Sequence, residues 1–428
     1  MKKHLLNIML LSNISTYAAD IVHCPVKNGH LNSESKESRE LKQKICTNPY
    51  GEVCYNKDFT KSYRLRVKST FQKFRDQAMN TVYTKNKEYF LSRGMKSLTS
   101  KNYQKTDKGY KETINEFIKN VDKAMESRSR QINSAFKALR KMTQSLVRQQ
   151  FEGVMTDEQI NKQVNMLEKI IPLYSSSEKT ILAQVKPYIP NISATAIKSF
   201  SEKYKSKCFR PAYQGTRKTT HLNHFEPVYN SVFLQGKINS VPFRFIILCP
   251  SEVLGSADNG RTAKSIYESI AQTTGHEFGH AIEINIENKS VFDKLNQCLK
   301  NQTDKSTLMS HNDEHYVEEN LADYWSKRLI EKILRKNKNS SAKRKLQFLR
   351  KTFAVLCTAH NGDDGHHSPT KLRINHILKS SKTFVNSFNC SVHAPLMFSM
   401  NRSNRVYDCG IKGKERIIES VERVSTVD

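Results

Sequence analysis

His276-Glu277-Phe278-Gly279-His280 sets two imidazoles four residues apart with a carboxylate between them. Apolar and small residues recur at helical spacing from Thr262 to about Glu287, which predicts a helix. Residues four apart share one helix face, so both imidazoles can reach a single divalent ion. Glu277 lies on the adjoining face, directed at the open side of that ion, where a carboxylate can take a proton from water. The set points to zinc-assisted hydrolysis. Two histidines at this spacing also occur as plain solvent-facing residues, so the reading requires a further ligand.

A catalytic zinc takes a third protein ligand and leaves a fourth position open. Glu319 lies 39 residues after His280 (319 − 280), in Glu318-Glu319-Asn320-Leu321-Ala322-Asp323. Asp323 follows one turn later on the same predicted face. Metal-bound histidines usually donate their second N–H to such a carboxylate, which fixes tautomer and orientation. A lone carboxylate on a helix is usually a solvated one. The joint pattern instead favours His276, His280 and Glu319 as ligands, with Asp323 behind them.

The elements that must position these residues are mostly helical. From 58 to 210, apolar residues recur every three or four positions, as in Phe71, Phe74, Met79, Val82 and Tyr83, and predict four to six helices. Val228–Leu234 and Val241–Leu248 are β-branched and aromatic and predict two paired strands, with Gly236–Ser240 as the connection. Further helices are predicted at 315–336, 341–358 and 369–388, with loops at 256–260 and 361–365. Residues 19–45 are polar and aperiodic, as in a flexible lead-in, and Cys46 and Cys54 bracket a turn-rich segment. The fold class is mainly α (α+β), with a small sheet, and no repeat of fixed period is present.

The chain has 428 residues, 37% hydrophobic and 9% aromatic, enough for one large domain or two lobes around a cleft. Lys and Arg number 70 against 41 Asp and Glu, a net charge of +29. That excess suits an acidic partner such as a cell-envelope surface, or simply solubilises the chain; no nucleic-acid motif accompanies it. Met1–His4 followed by the apolar run Leu5–Leu11 and Thr16-Tyr17-Ala18 has the form of an export signal cleaved after Ala18. No other stretch is long and apolar enough to span a membrane, so the expected location is secreted or periplasmic. The nine cysteines could pair in that oxidising compartment, leaving at least one thiol over.

Together these motifs resemble the neprilysin-like metallopeptidases, a branch of the gluzincins. That family pairs H-E-x-x-H with a later G-E-N-x-A-D, here Glu318–Asp323, and carries H-S-P-x-x-x-R, here His367-Ser368-Pro369 with Arg373. Its edge-strand Asn-Ala is similar to Asn230-Ser231, and Phe245–Pro250 with Leu254 resembles the strand and loop that follow. Cys46–Cys54 resembles its cysteine-bracketed start, and Phe384, Phe388 and Cys390 its late F-x-x-A-F-x-C.

The resemblance implies a gluzincin catalytic domain, with an edge-strand sheet on the zinc-site helices and a reduced helical lobe. It implies one Zn²⁺ per chain, Glu277 as general base, His367 stabilising the oxyanion, Arg373 orienting substrate or a carboxylate, and Asn230 and Ser231 binding a peptide or unfolded polypeptide. His366 is the alternative to His367; the spacing to Ser368-Pro369 and Arg373 favours His367. The implied disulfides are Cys46–Cys390, Cys54–Cys357 and Cys298–Cys409, with Cys208–Cys249 as a fourth and Cys24 left over. The organisation expected is a signal peptide at 1–18, a cysteine-tied extension at 19–57, a helical lobe at 58–212 and the catalytic domain at 213–428. Departures include Gly365 in place of an Asp, Glu318 in place of a Gly, and only 221 residues between Cys54 and His276 (275 − 54). The family usually holds a much larger lobe there, so a more open cleft is expected. The competing readings are a zinc-binding or envelope-binding protein without turnover, and a different gluzincin branch.

Overall fold

A computed structural model describes residues 35–55, 57–99, 102–209, 231–238, 241–302, 314–358, 370–390, 407–409, 411 and 416–417. The chain is mainly helical, with one three-stranded and one two-stranded sheet among these residues. The export signal proposed for residues 1–18 lies outside them.

Helices α1 (Lys36–Thr47) and α2 (Pro49–Cys54) open the described chain. The expected lead-in and turn-rich segment are therefore helical in part. Asn48 explains the second: its side chain caps the Gly51 N–H and Pro49 takes the first helical position, where a missing N–H costs nothing. Seven helices follow before residue 210: α3 (Lys57–Lys85), α4 (Lys87–Leu91), α5 (Asp107–Glu126), α6 (Ser129–Phe151), α7 (Asp157–Glu168), α8 (Glu178–Val185) and α9 (Ala194–Cys208). That exceeds the four to six expected, because serine and threonine caps at Thr106, Thr156, Ser177 and Ser193 start separate helices.

A strand missed by helical periodicity, β1 (Ile171–Leu173), lies between α7 and α8. It pairs in parallel with β3 (Val241–Ile247), which pairs on its other side, antiparallel, with β2 (Val232–Ile238). The order β1-β3-β2 leaves β2 at one edge. Gly236 to Ile238 were expected in the connection but belong to β2. Gly236 lies opposite Phe243, whose ring occupies the space a side chain would fill: a Cβ at Gly236 would meet it at 2.8 Å. Covering a strand glycine with a cross-strand aromatic stabilises the pairing.

After the short α10 (Pro250–Leu254) comes α11 (Ala263–Asn285), close to the predicted bounds and capped by Thr262, whose hydroxyl accepts from the Ser265 N–H. Then follow α12 (Asp293–Gln302), α13 (Glu314–Lys336), α14 (Ala342–Thr352), α15 (Ala354–Thr358), α16 (Thr370–Lys379) and α17 (Lys382–Phe388), with β4 (Tyr407–Asp408) and β5 (Arg416–Ile417) last. The predicted helices 341–358 and 369–388 are each two helices. The second divides at Ser381, whose side chain caps the Phe384 N–H. The loop predicted at 361–365 lies outside the described residues.

Helix α11 is buried along almost its whole length and packs against α13, α6 and α14. Its Phe278 ring lies 5.4 Å from Phe136 of α6. One apolar cluster runs from Ile45 to Ile411 and joins the early helices to α11 and α13. No helix among the described residues is long and apolar enough to cross a membrane.

Four disulfides are present, Cys46–Cys390, Cys54–Cys357, Cys208–Cys249 and Cys298–Cys409, the four pairs the resemblance implied. Such bridges suit an oxidising, extracellular setting. The first closes 344 residues, and in the loop-entropy treatment such a closure stabilises by roughly 5–6 kcal/mol. Replacing Cys46 and Cys390 together with Ser is therefore expected to lower the melting temperature by about 5 °C or more. Thermal unfolding followed by circular dichroism checks this; an unchanged midpoint would show that the bridge carries no stability.

Candidate metal centre

The site forms where α11 and α13 approach closely, and the sequence of α11 makes that approach possible. Gly275 and Gly279, one turn apart, face α13. A Cβ at Gly279 would lie 2.6 Å from Ala322 Cα, and one at Gly275 would lie 3.1 Å from Ser326 Cα. With small residues on both helices, the backbones come near enough for the side chains of Glu319 and Asp323 to reach the imidazoles of α11.

His276 Nε2 lies 2.9 Å from Glu319 Oε2 and 3.2 Å from His280 Nε2, and His280 Nε2 lies 3.5 Å from Glu319 Oε1. His276 is buried, and His280 and Glu319 are partly so. A tetrahedral cation with bonds of 2.0–2.1 Å holds its ligand atoms about 3.3 Å apart. The two Nε2 atoms and the Glu319 carboxylate lie 2.9–3.5 Å apart, around that spacing, and the residues fit a divalent ion.

The remaining groups prepare His276 for this role. Arg373, on α16, donates from Nε to Asp323 Oδ2 and from Nη2 to Asp323 Oδ1, both at 2.8 Å. Burial alone would raise the Asp323 carboxyl. The Arg373 guanidinium and His276 outweigh it and hold that carboxyl well below the usual carboxylate range. Asp323 is thus an ionised acceptor, 2.9 Å from His276 Nδ1. Nδ1 must carry a proton, so whenever the imidazole is neutral its lone pair is on Nε2, facing Glu319 and His280. Burial by itself pushes the His276 pKa down, but hydrogen bonds to Asp323 and Glu319 overcome it and raise the pKa well above the ordinary imidazole value. The centre therefore favours positive charge at this point, whether from a proton or from a metal ion.

Glu277 faces the sheet. Its Oε2 accepts the Phe233 N–H of edge strand β2 at 2.7 Å. Burial raises its pKa; the two histidines and the Phe233 N–H pull the other way, and Glu319 adds to the rise. A carboxylate so placed, beside a cation site and against a strand edge, can accept and return a proton.

His276, Glu277, His280, Glu319, Asp323 and Arg373 are thus brought together. Ser231 differs from expectation: its hydroxyl is buried and donates to Glu252 Oε2 at 2.7 Å, so the side chain points inward and not toward a substrate. Asn230 and His367 lie outside the described residues. Glu252 was not singled out from the sequence; its one signal is an acidic residue inside the apolar run Phe245–Leu254. No family model, curated protein or solved structure matches this chain.

Gly279→Val would insert atoms into the closest contact between α11 and α13 and separate Glu319 from the histidines. Metal affinity, measured by competition with a chromogenic chelator, is expected to fall at least tenfold, in the range seen when a metal site's supporting contacts are lost. Undiminished affinity would show that the glycine contact does not set the ligand spacing.

Proposed function

We propose that this chain is a zinc-dependent endopeptidase of the neprilysin-like gluzincin kind. The observation that carries the proposal is the convergence of His276, His280 and Glu319, with the Glu277 carboxyl held between that cluster and the outer edge of β2, the edge strand among the described residues. His276, His280 and Glu319 would hold the zinc, and two nitrogens with one carboxylate oxygen are a donor set that zinc favours. A bound zinc supplies Lewis acidity, which acidifies water and polarises an amide carbonyl.

The chain's own residues supply the rest. Glu277 takes the proton from the attacking water and delivers it to the leaving amine. Asp323, fixed by Arg373, keeps His276 in the Nδ1–H form. Edge strand β2 receives the substrate as an added strand. The alternation that turns the Phe233 N–H away from β3 does the same for Gln235 and Lys237, so the outer edge can bond to an extended peptide. Asn230, just before β2, would bind the substrate backbone, and His367 would face the oxyanion. The short stretch before the zinc helix supports an open cleft that admits unfolded polypeptides.

Glu277→Gln keeps the shape but removes the base. Hydrolysis in a peptide-library digest is expected to fall by a factor of about 10²–10⁴, while metal analysis still finds one zinc per chain. Retained turnover in this variant would sink the assignment of Glu277, and wild-type cleavage that survives a chelator would sink the zinc reading. In a second comparison, both a short peptide and an unfolded protein are expected to be cleaved. Action on the short peptide alone would count against the open cleft.

A further inference from the structure

Glu252, on α10, is fully buried. Its Oε2 accepts the Ser231 hydroxyl at 2.7 Å and the Thr273 hydroxyl at 3.2 Å, and its main-chain oxygen accepts the Ser269 hydroxyl at 2.7 Å. Ser269, Thr273 and Glu277 are spaced four apart and form one stripe of α11. Ser231 immediately precedes β2, and two residues later the Phe233 N–H reaches Glu277. The contacts close a circuit: Glu252 to Ser231, along the strand to Phe233, across to Glu277, and back one turn to Thr273.

We propose that Glu252 is a positioning residue: its carboxyl fastens the entry of edge strand β2 to α11, one turn before Glu277, and so sets the strand that binds substrate against the base that acts on it. The inference rests on the peptidase reading above. An aliphatic residue would fill the same space without desolvating a carboxyl, but the Ser231 and Thr273 hydroxyls would then lose their shared acceptor in a buried place, where unmade hydrogen bonds are destabilising.

Among the described residues, the titratable groups that act on Glu252 or flank it are acids and phenols. Glu277 faces it from α11 and Tyr204 from α9, with Asp122 of α5 also beside the Tyr204 phenol. Tyr63 of α3 donates to the neighbouring Ser251 oxygen. Burial pushes the Glu252 pKa up to about 8; the two hydroxyls pull it down less strongly, and Glu277 adds to the rise. The carboxyl is therefore protonated at neutral pH. The sign for stability follows from its tighter proton binding in the folded state. The contribution is complete below the ordinary value of 4.5 and is lost as pH rises through about 8.

The experiment compares wild type with Glu252→Gln and Glu252→Ala, each loaded with zinc. Gln keeps an acceptor oxygen and cannot ionise. It is expected to leave KM at neutral pH within about twofold of wild type, and its melting temperature should gain on wild type steadily between about pH 5 and pH 9. Ala is expected to raise KM about tenfold with kcat less affected, to keep one zinc per chain, and to speed hydrogen exchange at the β2 amides. A folded Ala variant with wild-type KM and wild-type β2 exchange overturns the proposal. If Ala does not fold, the Gln series and Thr273→Val decide: a melting difference that is flat with pH, together with unaltered β2 exchange in Thr273→Val, overturns it. A wild-type chain that cleaves no peptide overturns the peptidase reading and the substrate role with it, while the exchange measurement still reports whether the carboxyl holds the strand.

Discussion

The contact on which the site depends is steric: the backbone of α11 meets the backbone of α13 across Gly275 and Gly279 on one side and Ala322 and Ser326 on the other. Helix axes usually lie 8–10 Å apart, with the separation set by the side chains between them. Small residues at one-turn spacing on both helices let the backbones approach more closely than larger side chains would allow. Glutamate and aspartate side chains are short, so Glu319 and Asp323 can touch His276 only from such a distance. The two middle residues of the zinc motif thus divide the work. Gly279 admits α13, and Phe278, on another face, packs against Phe136 of α6 and holds α11 from behind.

Electrostatics builds on that geometry. Glu277, Glu319 and Asp323 gather around two imidazoles, and Arg373 is the guanidinium that joins them. Arg373 is committed by its two-pronged bond to Asp323. Glu277 and Glu319 place further acidic groups beside the ring nitrogens, so a positive charge held there is stabilised. A buried assembly of this kind is costly when incomplete and strongly cohesive when a cation completes it. The same charge order fixes the imidazole tautomer, because an ionised Asp323 accepts and cannot donate.

Much of this was legible in the sequence, for identifiable reasons. The bounds of α11 follow from a threonine cap and periodic small and apolar residues, and the His276–His280 and Glu319–Asp323 pairs are legible as residue types one helical turn apart. The four disulfides matched the pairs implied by family resemblance, where counting cysteines left many pairings open. Other features depend on partners far away in the chain. Strand β1 is three residues long, too short to show a period, and exists because Phe245 to Ile247 lie beside it. Glu252 looks like a surface acid by type, and only the meeting of α10, α11 and the start of β2 makes it an internal acceptor. The family's edge-strand Asn-Ala motif implies a substrate role for Ser231, but Ser231 leads into β2 with its hydroxyl buried against Glu252.

The N-terminal segment bears on the centre through Arg373. Helix α16, which carries that arginine, packs against α2, where Asn375 Oδ1 accepts the Tyr50 N–H at 3.2 Å. The following helix, α17, ends near Cys390, which is tied to Cys46 at the end of α1, and Cys54 at the end of α2 is tied to Cys357. Arg373 is therefore held in part by residues more than 300 positions earlier in the chain. A guanidinium must sit within a few tenths of an ångström to bond both oxygens of one carboxylate. Covalent closure at Cys46–Cys390 and Cys54–Cys357 restricts the motion that would loosen that bond. On this view the disulfides serve the imidazole's proton placement as well as the stability of the fold, because Asp323 orients His276 only while Arg373 orients Asp323.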